Sequence, residues 1–310
     1  MLKSTTTILA FAIAAGPSFA QELTYGSFGF DFTRLTDGSD DLDLSVLNGD
    51  VEFAFDQFLL GAQVTNRDFS SDSLIDGTIT NFNAFGAYAI IPEVLVGVGL
   101  NTIDLDGSDL SGYEVFGQYQ TAQFGVGLTY TIPDSDEDDV SFLTILGEAE
   151  VTPGVTIGAA YEDFSEIDES FYYLTAEYED GPIFVRGYYT SVTDIDGYLI
   201  GARGSYDVTD MIHVSADLQK GVDFFLGDLT AYSVGAGYEF ADGFIVDASV
   251  GRIEGDGNEI DTIQVGVSYE LGQRRRLDRK MIDAVREDRA RTIDAVVPSL
   301  GIGIGFGFGL

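Results

Sequence analysis

VEFAFDQFLLGAQV, residues 51–64, alternates apolar and other side chains on both sides of a single break. Apolar side chains stand at Val51, Phe53 and Phe55, the pattern breaks at Asp56 and Gln57, and it resumes at Phe58, Leu60, Ala62 and Val64. A period of two is that of a β-strand, so the stretch reads as two antiparallel strands joined by a tight turn, each with one apolar face. A soluble sandwich would hide that face against a second sheet. A membrane barrel would turn it toward lipid, leaving Asp50, Glu52, Asp56, Gln63 and Thr65 to face a wet lumen.

Working outward, segments of about 10 to 13 residues with the same alternation repeat along the chain. Sixteen are expected, beginning with 23–34, 42–55 and 58–68 and ending with 243–253 and 260–271. Their connections fall into two alternating classes. Asp56-Gln57, Pro92-Glu93, Asp180-Gly181 and Ala241-Asp242-Gly243 are short, whereas TDGSDDLD, NRDFSSDSLIDG, PDSDEDD and EGDGNEID are longer and acidic. An up-and-down outer-membrane barrel sorts its connections this way, short on the periplasmic side and longer outside. A sandwich has no reason to do so.

The two faces of the strands agree. Phe124, Val126, Leu128 and Tyr130 share one side of a strand, and Gly125, Gly127, Thr129 and Thr131 share the other. Were the second face the outside of a soluble protein, it would carry lysine and glutamate freely. Glycine, serine and tyrosine dominate instead. Phe55, Phe58, Tyr119, Phe124, Tyr178, Tyr206, Phe240 and Phe244 lie on apolar parity beside short turns, and Tyr113, Tyr130, Tyr161, Tyr189, Tyr198 and Tyr232 lie on it near the long loops. Two aromatic girdles at the edges of a lipid band account for both sets.

Residues 1–20 read as a secretory signal: Lys3, an apolar stretch around Ile8 to Ile13, and Ser18-Phe19-Ala20 as the cleavage site. The mature chain is expected to begin near Gln21 and to be exported. No cysteine is present, so no disulfide framework supports the fold. Against 52 acidic residues the chain has 15 basic ones, of which eight lie after residue 272. A body this acidic is an implausible partner for nucleic acid and attracts cations.

On hairpin rhythm, signal peptide and turn asymmetry, residues 21–271 resemble the sixteen-stranded porin family of Gram-negative outer membranes, most closely the short-loop porin-like proteins of alphaproteobacteria. The fold class expected is all-β, a transmembrane up-and-down antiparallel β-barrel of about sixteen strands with a basic C-terminal tail. Two departures stand out. No connection is long enough to fold inward as the constriction loop of general porins does, and the chain continues past its last strand to Leu310. In the tail, 272–310, residues 274–297 are helix-compatible and basic, and 299–310 alternate glycine with Ile302, Ile304, Phe306, Phe308 and Leu310. A plug, a periplasmic anchor and a solvated appendage are open readings of the basic part, and the glycine-alternating end reads as a lipid-facing strand or a terminal assembly signal.

Sixteen strands leave room for an aqueous channel. Inward parity places Asp31, Glu52, Glu114, Glu148, Glu162, Glu177 and Asp247 in or near it, with Arg67, Arg186 and Arg203. A hairpin centred on 193–196 sets Arg186 opposite Arg203, where like charges repel and call for a compensating carboxylate or anion. A basic wall of Arg186 and Arg203 with His213 beside it, facing acidic positions, is one expectation; scattered arginines held by local carboxylates are the other. His213 and Ser215 have the His-x-Ser spacing of outer-membrane phospholipases, but on lumen parity, away from lipid, and no G-x-S-x-G elbow occurs. No enzymatic activity is expected. The acidic loops match no EF-hand calcium loop, and no cofactor is implied.

The resemblance and the acidic lumen together imply passive diffusion of small hydrophilic solutes across an outer membrane, cations preferred. Outer-membrane lipid and lipopolysaccharide are the expected surroundings, and a homotrimer is compatible, since lipid-facing and subunit-facing apolar surfaces look alike in sequence. The rival is a closed structural or adhesive barrel whose acidic loops are its working surface.

Overall fold

The structure, a computed structural model, describes residues 22–38, 41–71, 76–105, 108–134, 141–165, 170–193, 197–223, 228–241, 243–255 and 258–277. The signal segment and the tail beyond 277, including the strand-like 299–310, lie outside the described residues. Sixteen strands follow one another: β1 (Glu22–Thr36), β2 (Asp41–Phe55), β3 (Phe58–Ser71), β4 (Gly77–Ile91), β5 (Val94–Leu105), β6 (Ser108–Gln120), β7 (Phe124–Pro133), β8 (Phe142–Thr152), β9 (Val155–Phe164), β10 (Ser170–Asp180), β11 (Ile183–Val192), β12 (Tyr198–Thr209), β13 (Ile212–Val222), β14 (Leu229–Ala241), β15 (Phe244–Gly255) and β16 (Asn258–Gly272).

Each strand pairs antiparallel with its neighbours in sequence, and β1 pairs with β16, so the sheet closes on itself. Closure is what lipid demands. An open edge would leave N–H and C=O groups in hydrocarbon without partners, at several kcal/mol each. The opening hairpin pairs Phe55 with Phe58 and Val51 with Ala62. Phe58 and Leu60 are exposed on its outer side, and Asp50 and Glu52 are buried on its inner side.

The short turns fall where the sequence places them, but the opposite rim departs from the reading: β5 and β6, and β15 and β16, are separated by two residues each, because strand pairing runs on through most of EGDGNEID, which reads as one of the longer connections. The β2–β3 turn rests on Asp56 at φ 54° and the β8–β9 turn on Gly154 at φ 77°, where a Cβ would stand 2.3 Å from the carbonyl oxygen of Glu179. Register shifts gather at this end too, at Leu23/Tyr25, Ala89/Ile91, Glu150/Thr152, Asp207/Thr209 and Glu239/Ala241, as bulges do at barrel rims.

Outside, Val96, Val98, Leu100, Val126, Leu128, Val214, Leu218, Val234 and Val250 are exposed and form the apolar band. Aromatic pairs border it. Phe58 and Tyr88, Tyr119 and Phe124, and Phe244 and Tyr269 meet as tilted ring pairs with centroids 5.1, 5.6 and 4.3 Å apart at the short-turn rim. At the other rim Tyr161 meets Tyr172 at 5.1 Å and Tyr189 meets Tyr198 at 5.8 Å.

The buried core lies within the ring rather than between sheets. One cluster joins Leu59, Phe85, Ala87, Leu95 and Phe116 on β3 to β6, and a larger one joins Leu35, Leu44, Leu146, Phe171, Tyr173, Tyr188, Val192, Leu199, Leu229, Ile253 and Leu277. Strand parity reads the inner face as small or polar; the structure adds these apolar groups to it. They are stable there because they bury one another, a relation that alternation along one strand does not reveal.

Candidate functional site

On the inner wall, cross-strand register turns scattered charges into rows. Glu177 on β10 pairs with Arg186 on β11, Arg186 with Arg203 on β12, and Arg203 with Asp217 on β13. The two arginines stand opposite each other, as hairpin symmetry requires, and each finds its carboxylate on the far side. The Arg186 guanidinium donates from Nε to Glu177 Oε2 at 3.0 Å and has Nη2 at 3.0 Å from the same oxygen. Arg203 Nε lies 3.8 Å from Asp217 Oδ1, and Ser233 Oγ donates to Asp217 Oδ2 at 3.2 Å. The result is a transverse sequence of charge, negative, positive, positive, negative, across four neighbouring strands.

His213 belongs to a different row, nearer the short turns. It pairs with Asp207 and Gly237, and its ring occupies the space that a side chain on Gly237 would need. The same row continues through Asp247, Gly266 and Asp31. Between the rows a cavity of about 100 Å³ is lined by Arg203, His213, Ser215, Asp217, Ser249 and Gln264, among others. Hydroxyls, carboxylates and one guanidinium thus share a single patch of wall.

The remaining inward residues are spread round the ring. Glu162 is buried and accepts from Tyr173 Oη at 2.8 Å and Thr144 Oγ1 at 3.3 Å. Glu148 sits between Gly125 and Gly158. Arg67 lies between Val46 and Ile79 on β3, eight strands from β11.

Glu52 and Glu114 face inward as parity places them, but they are covered, with 0 % and 4 % of their surface exposed. The cover is the chain's own continuation. Beyond β16 the backbone turns at Gly272, with φ 80°, a conformation in which a Cβ would stand 2.1 Å from the Thr24 carbonyl oxygen. Gln273 N donates to that oxygen at 2.9 Å, and the next residues enter the barrel. Arg274 Nε reaches 3.4 Å from Asp50 Oδ2 while its guanidinium lies 4.7 Å from the centre of the Tyr25 ring. Arg275 N donates to Glu52 Oε2 at 3.0 Å.

Gln118 then holds the backbone from both sides, donating to the Arg275 carbonyl at 2.6 Å and accepting from Leu277 N at 2.9 Å. The Arg276 guanidinium donates to both oxygens of Glu114, at 2.5 and 3.0 Å, and lies 4.0 Å from the centre of the Phe116 ring and 5.0 Å from that of Phe85. It is 1 % exposed. Desolvation would cost a lone guanidinium several kcal/mol; a bidentate carboxylate and two aromatic faces offset that. Residues 274–276 carry no helix, where the sequence is helix-compatible from 274; the rest of that segment lies outside the described residues.

Sequence reasoning did not single out Asp217, Gln118, Phe85, Phe116 or Arg276 as site residues. Asp217 was within reach, since it shares inward parity one hairpin from Arg203. For Arg276 the basic run announced a cationic segment but not its seat.

A closed ring with a lipid-facing band, two aromatic girdles and a charged inner wall defines a transmembrane barrel of the sixteen-stranded porin fold. Solved structures bear this out. An engineered triple mutant of the Rhodopseudomonas blastica porin is similar with a TM-score of 0.55 at 19% identity, over 81% of this chain and 100% of that one. The crystal structure of Pseudomonas aeruginosa OpdQ is similar with a TM-score of 0.53 at 10% identity, over 81% of this chain and 99% of that one. No protein-family model matches the chain, and no curated protein matches it in sequence.

Proposed function

We propose that the protein is an outer-membrane diffusion channel for small hydrophilic solutes, with a preference for cations. One observation carries the reading: the ring is closed, apolar outside, and lined inside by Asp31, Glu148, Glu162, Glu177, Asp217 and Asp247 against Arg67, Arg186 and Arg203. Among the described residues of the strand wall carboxylates outnumber guanidiniums, and a low-dielectric lipid surround focuses their field along the lumen. The porin structures it resembles share the fold, and the solute class is inferred from the wall alone.

Purified protein in a planar bilayer is expected to give stepwise currents. Under a salt gradient, the reversal potential should lie on the cation side of zero. A reversal potential on the anion side would remove the cation preference. A membrane without steps would favour a closed structural barrel. That second reading is favoured by the depth at which inward groups such as Glu52, Thr190, Leu199 and Ala231 are buried, all at 0 % exposure.

A further inference from the structure

We propose that Gln273–Leu277 is a built-in plug, locked into the short-turn mouth of the barrel by Arg276 and masking three inward carboxylates. Its effect on current rests on the diffusion-channel reading; its seating does not.

The segment starts on the wall at β16 and β1 and ends against β6 and β7. In the ring order β16 and β7 are seven strands apart, close to opposite. Sixteen strands spaced about 4.8 Å and tilted about 40° would enclose a circle on the order of 30 Å across. Five extended residues reach no more than about 17 Å. The rest of the span is met by side chains, Gln118 reaching in from β6 and Leu277 reaching out over β7, so the chain itself bridges the mouth. Leu277 completes the bridge by packing over Gly125, where a Cβ would stand 2.9 Å from its Cδ2.

The contacts are those of a seat made for this occupant. Gln118 satisfies the segment's backbone on both sides, and Glu114, Phe85 and Phe116 enclose one guanidinium with carboxylate and ring faces. Electrically the segment brings Arg274 to Asp50, a backbone N–H to Glu52 and Arg276 to Glu114. Released, it would open the mouth and return three carboxylates to water at once, so conductance and cation preference rise together.

The chain has no cysteine, which makes the seating directly readable in the full-length protein. Gly125→Cys combined with Leu277→Cys should cross-link on mild oxidation and lose maleimide labelling. Arg276→Glu in that background, which sets two carboxylates against each other, should abolish the cross-link and restore labelling. On its own, Arg276→Glu should raise unit conductance over the unsubstituted protein and shift the reversal potential further to the cation side. Cysteines that stay reactive after oxidation would overturn the seating. Equal conductance and reversal potential with and without Arg276→Glu, in a protein that does conduct, would overturn the plug. A cross-link in a protein that passes no current in any form would overturn the diffusion reading and leave the seating in place.

Discussion

Arg276 and Glu114 show at the scale of single residues how a buried charge is tolerated. The pair is bidentate and enclosed, so removing either partner strands the other without water. Glu114→Gln or Arg276→Ala is each expected to cost about 3 kcal/mol or more. The double substitution should cost less than the two single costs added together, because neither charge is then left alone. Urea unfolding in detergent, followed by tyrosine fluorescence, measures the cycle; additive costs would mean the pair is not coupled. A second test concerns Arg186 and Arg203, which repel across their ladder and are held by Glu177 and Asp217. Glu177→Gln removes one carboxylate and should move the reversal potential toward the anion side, and Arg186→Gln should move it the other way. Hairpin symmetry sets Arg203 opposite Arg186, while its carboxylate partner comes from the next strand over.

At the scale of the strand, depth in lipid decides what a position tolerates. Val234 is 60 % exposed near the middle of β14, with Tyr232 toward one rim and Tyr238 toward the other. Val234→Arg is expected to cost about 2 to 4 kcal/mol, whereas Tyr232→Arg, near the interface, should cost about 1 kcal/mol or less. The folded fraction after refolding, read from heat-modifiable migration on a gel, checks both; equal losses would mean that the exposed face does not meet lipid. Strand positions were legible because alternation is local: β2, β4 and β5 end within a residue or two of where period and turn residues place them. The path after β16 was not. Gly272 is one of 38 glycines, and only the nearby Thr24 carbonyl shows that the chain must turn inward there.

For the whole molecule, the acidic wall is a field rather than a set of contacts. Screening shortens from about 10 Å at 0.1 M salt to about 3 Å at 1 M. Cation preference is therefore expected to fall as salt rises at a fixed gradient ratio, and selectivity independent of salt would point to a steric filter instead.

Neighbours a few residues apart set the period of two, the lipid-facing side of each strand, the sixteen segments and the short turns of one rim, so residues alone reveal these; how far pairing runs into the acidic connections at the other rim depends on the partner strand. Only the tertiary structure decided which charges meet. Glu114 and Arg276 lie 162 positions apart, and closing the ring is what brings the end of β16 beside β1 and within reach of β6. Apolar packing inside the barrel was hidden for the same reason, since an inward Leu199 or Phe116 declares its partners only once the walls curve toward each other.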